Sequence, residues 1–431
     1  MKLKNICFIS ISTILGALLI AGCGLSVSKD NSEEELYIVT EDKNSVSLAN
    51  SKLGNFGVDD EGNIYMENAY DGKIGYINKE GKKVIDFKYD EGSEFKYGMA
   101  GVKEKNNYKI INTKGKTIVK KEDGILYPLN KNLIKYEKLN EKLLINENKT
   151  ETVKNLFEEN ESLKLDGILN LKGEVVVEPG RYDQILNDVG EGYILVKRGD
   201  KYGLLNPEGH EIIPCEYKGI GNVSEGFITV LKDNKFGAFN TKGELIIPIE
   251  YLYLGTMNEG VVPARLDESG IGFLDKEGNW AIMPYFDGVT RMNKGVAFAR
   301  KEDRNMIIDK DGKEIEGKVE FENETSLNGF SDGGLAVVNI IDGESKYMSL
   351  INTRGEEIKG FEKKNYLGLI VNDNSLITTI NEEKKRSLFK ADGANLLKEE
   401  FDDIRVINED VILTDKEGIY SYFNSEGKLI Y

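Results

Sequence analysis

Phe236-Gly237-Ala238-Phe239-Asn240-Thr241-Lys242-Gly243-Glu244-Leu245-Ile246-Ile247-Pro248 is the stretch whose reading decides the fold. An apolar run ends in Asn, two polar residues and a glycine follow, and β-branched residues resume. Asn240 can accept hydrogen bonds from backbone N–H groups of the turn, and Gly243 supplies a positive φ at little cost. The stretch therefore reads as a β-hairpin. The same loop stands at Asp275-Lys276-Glu277-Gly278, Asp309-Lys310-Asp311-Gly312 and Asn352-Thr353-Arg354-Gly355.

Working outward, the turn glycine recurs at Gly81, Gly115, Gly173, Gly209, Gly243, Gly278, Gly312, Gly355, Gly393 and Gly427, at intervals of 34, 58, 36, 34, 35, 34, 43, 38 and 34 residues. The 58-residue interval is expected to split at Lys149, because residues 143–149 resemble residues 110–115, and Gly62 marks a further copy. Ten glycines, Lys149 and Gly62 make 12 turn units, of which the first, fourth and fifth are irregular. A strand opened by glycine precedes each hairpin, as at Gly226, Gly295 and Gly334. The return strand is expected to stop or bulge at Pro214, Pro248 and Pro284, since proline lacks a ladder donor. Tyr217, Tyr251 and Phe286 then begin a fourth apolar piece. The single helical candidate is the acidic segment 151–164.

The fold class is all-β: tandem hairpin repeats of about 34–36 residues, propeller-like or an open β-solenoid. Such a unit cannot bury a face alone and must stack on its neighbours. Twelve units exceed the usual four to eight blades of one ring. Residues 429–431 remain strand-like to the last residue and are expected to pair with a strand at residues 36–40, which favours closure.

The first residues set the expected location. Lys2 and Lys4 precede an uncharged apolar run from Ile6 to Ala21, and Ile20-Ala21-Gly22-Cys23 ends it. This is the layout of a signal peptide, and its last four residues resemble the bacterial lipobox. That resemblance implies cleavage before Cys23 and a diacylglycerol on its sulfur. Residues 1–22 are then the lipoprotein signal peptide, 23–35 the lipidated cysteine and a polar tether, and 36–431 the repeat domain, irregular at 116–172. Two or more acyl chains make such an anchor durable. The chain is expected on the outer face of the bacterial cell membrane, held there through covalent lipid.

Net charge is −17, and loss of Lys2 and Lys4 makes it −17 − 2 = −19. That balance argues against nucleic acid, whose backbone needs Lys and Arg clusters. Cys7 leaves with the signal and Cys23 is modified, so Cys215 is a lone thiol, read as a half-buried strand residue. His210 is the one histidine, read as an exposed turn residue. One His and one free Cys build no His/Cys zinc site and suggest no nucleophile–base triad. Asp309–Gly312 lacks the ligand spacing of an EF-hand. No cofactor, metal or catalytic residue is therefore expected.

The copies resemble the WG repeats of bacterial surface and secreted proteins, in which a Trp-Gly pair enters the hairpin and a Gly, an Ile-Pro pair and an aromatic follow. The family's glycine falls on Gly75, Gly203, Gly237 and Gly272, and its tryptophan is replaced by Ile74, Tyr202, Phe236 and Ile271. Trp280, the only tryptophan, lies two residues after Gly278. The resemblance implies an envelope or surface setting and assigns no ligand. The expected function is a surface-exposed envelope lipoprotein, not an enzyme, that binds a protein or glycan. The alternatives are a purely structural envelope component and, more distantly, a carbohydrate-active enzyme. Where the period breaks, at 149–173, 312–355 and 355–393, a binding side is sought. Phe321, Leu327, Phe330, Tyr347 and Met348 fall in the middle break, with a satellite core as their ordinary use.

Overall fold

In the computed structural model the described residues are 36–40, 55–58, 64–67, 73–78, 82–105, 107–139, 164–302, 304–317, 319–322, 329–372, 375–407 and 411–430. They form antiparallel sheets of three or four strands, which we letter in chain order. Sheet A comprises Leu36–Thr40, Ile74–Asn78 and Lys83–Tyr89, with a separate hairpin of Asn55–Val58 and Ile64–Glu67 between its first two strands. Sheet B holds Glu91–Gly92, Met99–Glu104, Asn107–Asn112 and Thr117–Lys121; sheet C holds Gly124–Pro128, Leu133–Leu139, Lys164–Asn170 and Val175–Val177. Sheet D runs Gln184–Asp188, Ile194–Arg198, Lys201–Leu205 and Glu211–Tyr217; sheet E runs Gly219–Ser224, Phe227–Lys232, Lys235–Asn240 and Leu245–Tyr251. Sheet F runs Tyr253–Leu254, Val261–Arg265, Ile271–Asp275 and Trp280–Phe286; sheet G runs Gly288–Val289, Val296–Lys301, Arg304–Asp309 and Glu314–Ile315. Sheets H (Glu320–Glu322, Leu335–Asp342, Ser345–Asn352), I (Gly368–Val371, Ile377–Ile380, Arg386–Phe389) and J (Asp403–Val406, Val411–Lys416, Ile419–Asn424) have three strands each. The architecture is all-β, built from tandem hairpin repeats.

The return strand corrects part of the expectation from proline. It does not stop at Pro214 or Pro248 but continues to Tyr217 and Tyr251, so these aromatics end the strand rather than begin another. A bulge makes this possible. Tyr202 pairs with Tyr217 and Leu204 with Ile213, so two steps on one strand face four on the other. Sheets A, E and F shift identically, at Ile74/Tyr76, Phe236/Ala238 and Ile271/Phe273. The bulge buries Ile213 and Tyr217, Ile247 and Tyr251, Ile282 and Phe286 while leaving the residues between them exposed or half-buried. It also explains the family's glycine. A Cβ on Gly272 would lie 2.3 Å from the Ile282 carbonyl oxygen, and one on Gly237 2.8 Å from that of Ile247. The bulged strand crosses there and leaves no space.

Apolar clusters fill the spaces between consecutive sheets, for example between D and E and between E and F. Substantial contacts between sheets join neighbours in sequence throughout. Among the described residues the pairing expected to close the array is not formed. Leu36–Thr40 pairs with Ile74–Asn78, while Leu429 bridges Phe423 and Ile430 N donates to Tyr422 O. The last described residues thus complete their own hairpin, because the adjacent edge of sheet J satisfies them locally.

Within the 58-residue interval Leu133–Leu139 pairs with Lys164–Asn170 along its whole length, so the described residues there form one sheet. The turn expected at Lys149 and the helix expected at 151–163 lie outside the described residues, and Lys164 opens a strand.

Candidate binding surface

Antiparallel order places two sets of loops at the same end of each sheet: the link between first and second strands, and the glycine turn that follows the third strand or, in sheet A, the second, opened in most sheets by Asn or Asp. In the turn, Asn240 Oδ1 accepts from Lys242 N and Glu244 N, both at 3.0 Å. Asn170, Asp275, Asp309 and Asn424 do the same in their sheets. Gly243 has φ +79°, and a Cβ there would lie 2.6 Å from Ile212 O in the preceding sheet. The turn glycine is therefore doubly constrained, by its own φ and by the sheet it rests on. Gly115, Gly209, Gly278, Gly312, Gly355, Gly393 and Gly427 also have positive φ and lie against the preceding sheet. Gly81 and Cys23 lie outside the described residues.

A row of carboxylates links the other loops from sheet to sheet. Glu191 accepts from Gly226 N at 3.1 Å, Glu225 from Glu259 N at 2.6 Å and Gly260 N at 3.0 Å, and Glu259 from Gly295 N at 2.8 Å. Lys276 and Lys310 reach back to Glu225 and Glu259. Each of these Glu residues has φ near +52°, a costly conformation for a side chain with a Cβ, held by the contacts around it. Lys294 occupies the next place in the row. The opposite end has its own repeated device. The carboxylates of Asp90, Asp183, Asp287 and Asp402 accept from Lys105, Gly199, Glu302 and Glu417 N, closing the hairpin between second and third strands.

One interface departs from the pattern. Between sheets C and D, Lys135 Nζ lies 3.1 Å from both Glu137 and Asp166, and Lys164 lies 3.6 Å from Glu137. Asp166 Oδ2 also accepts from Ile185 N at 2.7 Å. The side chain of Glu137 is only 6% exposed, and its Oε2 has no hydrogen-bond partner among the described residues. Lys135 and Glu137 border an open depression of about 210 Å³, whose other walls include Tyr127, Leu129, Leu186 and Asp188. Lys96 of sheet B completes the rim. Its neighbour Tyr97 reaches past sheet C to donate to Asp188 Oδ2 at 2.7 Å. Burial first, and the Asp188 carboxylate second, push the Tyr97 phenol well above its ordinary pKa.

A second depression, of about 430 Å³, lies on sheet H beside Tyr347, Met348 and Tyr366. Phe330 and Phe321 do not face it. Phe330 stacks on Phe298 at 4.6 Å and Phe321 meets the same ring edge-on, so both belong to the core, while Leu327 is outside the described residues. His210 is exposed in its turn, and Cys215 is half-buried, its thiol pKa pushed up by desolvation. Among the described residues no cluster of His, Cys, Asp and Glu is placed to hold a metal. Sequence reading missed the Glu row and the charged interface. Glu191, Glu225 and Glu259 repeat every 34 residues before a glycine, and Lys135 and Glu137 stand two residues apart, which puts both on one face of a strand; both signals were present.

Five segments match the family model described as WG containing repeat: 74–108, 167–202, 202–236, 236–268 and 271–304. Set on the sheets, segments such as 202–236 begin in the third strand of one sheet and end past the second strand of the next, so the sequence repeat carries an inter-sheet interface. No curated protein matches. Solved structures that resemble the chain include the computationally designed Ika8 protein (10% identity, 77% of this chain and 94% of that one, TM-score 0.35). A eukaryotic initiation factor (11%, 83% and 92%, 0.42) and BamB from Moraxella catarrhalis (10%, 68% and 79%, 0.30) are also similar.

Proposed function

Starting from a chain that carries five WG-type repeats, we propose that it is a lipid-anchored binding module, not an enzyme, on the outer face of a bacterial cell membrane, where it holds an envelope protein or glycan. The observation that carries this reading is a contrast within the array. Loops at both ends of the sheets direct their hydrogen bonds into the scaffold itself, through the Asn turns, the Glu row and the Asp caps. The interface between C and D instead buries a charged set, Lys135, Glu137, Lys164 and Asp166, beside an open depression. A rigid scaffold with one irregular, mixed-charge recess suits recognition. The leader ending in Cys23 supports the location.

Two measurements test the two halves of the proposal. Intact mass of the native protein should show a chain beginning at an acylated Cys23, and Cys23→Ala should release the protein or leave the precursor uncut. An unlipidated mature terminus elsewhere removes the anchor. The chain from residue 26 onward, immobilised, should bind purified wall glycan or a purified envelope protein saturably. Absence of any saturable partner in either class favours a structural envelope component.

A further inference from the structure

The two end sheets each have a face with no neighbour in the chain order, and the register of the sheets shows which residues stand on it. Sheet E gives the rule. Ile228, Val230 and Phe239 lie toward sheet D, and Phe227 and Ala238 toward sheet F, where Thr229 Oγ1 also donates to Gly255 O at 2.8 Å. Sheet J repeats that register: Val411 pairs with Asn424 as Phe227 does with Asn240, and Leu413 with Tyr422 as Thr229 does with Ala238. Ile412 and Phe423 accordingly join the cluster with sheet I. Val411, Leu413 and Tyr422 fall on the opposite face, the one that in sheet E meets the next sheet.

Sheet J is the last of the described sheets, yet this face is covered. Val411 is 1%, Leu413 2% and Tyr422 4% exposed in the single chain. The cover therefore belongs to the chain itself, not to a second copy or a partner. The sheet's own return segment does not provide it, since Leu429 bridges Phe423 at the strand edge and stays 57% exposed. An open stack would instead end in a polar outer face.

Sheet A has the matching face. Tyr37 pairs with Ile77 and Val39 with Gly75, in the register in which Ile228 pairs with Phe239 and Val230 with Gly237. Tyr37, Val39 and Ile77 thus occupy the positions that in sheet E receive the preceding sheet, and all three residues are apolar in body. The other face of sheet A is taken by sheet B, through Ile74, Tyr76, Ala100 and Val102. We propose that sheet A docks face to face on sheet J, so that the ten sheets form a closed ring. The seal differs from the strand pairing that the sequence suggested: each end sheet keeps its own strands, and only their faces meet. Closure also brings the segment that enters at Leu36 beside the last sheet, so a tether at the start of the chain joins the ring at its seam.

The test is a distance read against a ruler inside the same molecule. Lys416 and Lys73 hold in sheets J and A the register positions that Lys232 and Lys235 hold in sheet E, and Arg198 is the equivalent of Lys416 in sheet D. Nitroxides on Lys73→Cys and Lys416→Cys, in the full chain carrying Cys215→Ser, should give by pulsed EPR the separation found for Arg198→Cys with Lys235→Cys. A chain with Cys215→Ser alone reports any label taken up elsewhere. The ion pairs of Lys73 and Lys416 are exposed, so the fold should tolerate their loss. In a straight open array the ends would stand roughly 90 Å apart, at the usual spacing of about 10 Å between packed sheets. Leu413→Asp puts a charge on the covered face and should lengthen the A–J separation by at least one sheet spacing, about 10 Å, with the D–E separation unchanged. Val39→Asp should do the same from the opposing sheet, which guards against a local failure of sheet J to fold. An A–J separation several sheets longer than D–E in the parent chain overturns the proposal, whichever other segment then covers sheet J. A matching separation that neither Leu413→Asp nor Val39→Asp alters also overturns it.

Discussion

Two neighbouring interfaces of the array use the same backbone for different ends. Sheets E and F meet through Phe227, Tyr251, Leu254, Met257 and Val262, all buried and apolar. Sheets C and D also share an apolar cluster, including Leu133, Ile168, Ile185 and Val196. In the register of the sheets, however, the pair Glu137–Asp166 stands where sheet E has Leu231–Phe236, and Lys135–Ile168 where it has Thr229–Ala238. Removing charges from water costs several kcal/mol per ion, and their attraction repays it only with good geometry. Glu137 Oε2 meets Lys164 Nζ only at 3.6 Å, too long for a hydrogen bond, which is not good geometry. The difference teaches that stability alone does not account for the C–D interface, whereas it suffices for E–F.

The largest expected effect comes from breaking the charged set unevenly. Lys135→Ala leaves Asp166 without its cation and Glu137 with only the 3.6 Å contact to Lys164, and should cost about 3–5 kcal/mol. Replacing the set together should do the opposite. Lys135→Thr, Glu137→Leu and Lys164→Met, with Asp166→Asn to keep an acceptor for Ile185 N, should be neutral or stabilising by about 1–4 kcal/mol. Denaturant midpoints of the two proteins, measured side by side, check the pair. A combined variant markedly less stable than the parent would mean that the charges hold C and D together after all.

A smaller effect separates the two demands on the turn glycines, and it reads the regular interfaces. Gly243 and Gly260 both have positive φ, +79° and +81°, but only Gly243 faces a close neighbour; around a Cβ on Gly260 nothing lies within 4 Å. Gly260→Ala should cost the left-handed penalty, about 1–2 kcal/mol. Gly243→Ala should cost more, by about 1–3 kcal/mol of crowding against Ile212 O. Equal losses in matched melts would show that the sheets slide apart to admit the methyl group.

These two glycines also mark how far the sequence could be read. The Asn240–Gly243 turn is local chemistry, four residues long, and is legible because its hydrogen bonds close within it. The same holds for the all-β class and its period. The approach of Gly243 to Ile212 is not local, because it depends on how one sheet sits on another. Pro214 and Pro248 announced a disturbance, but only the pairing of Tyr217 with Tyr202 and of Tyr251 with Phe236 shows it to be a bulge rather than an end. The turn copy expected at residues 143–149 lies outside the described residues, and what the sequence did not show is that the strands on either side of it, ending at Leu139 and beginning at Lys164, pair with each other. For the candidate site, Lys135 and Glu137 were visible as charges two residues apart in a strand. That Tyr97, Asp188 and Asp166 meet near them from three sheets was not, since 91 residues separate Tyr97 from Asp188.

The smallest effect extends the comparison to the opposite end of the sheets. Sheets B, D, G and J carry Asp90, Asp183, Asp287 and Asp402 just before the first strand, each accepting from a hairpin N–H; sheets E and F carry Lys218 and Leu252 there. The hairpin N–H of Glu302 holds the Asp287 carboxyl below its ordinary pKa of 3.8, and that of Glu417 does so for Asp402. For Asp90 the Lys73 ammonium is the larger cause. A carboxyl whose folded pKa is depressed binds protons more readily when unfolded, so its contribution is complete above the unfolded value and is lost as pH falls through the folded one. These groups are largely exposed, so each contribution is small. Amide exchange at Glu302 and Glu417, corrected for its intrinsic pH dependence, should therefore lose protection as pH drops below about 3.8. The corresponding hairpin amides of Asp233 and Asn234 in sheet E, with Lys218 in place of the aspartate, should not change over that interval. Loss of protection in sheet E at the same pH would assign the acid response to the array as a whole rather than to the aspartate caps.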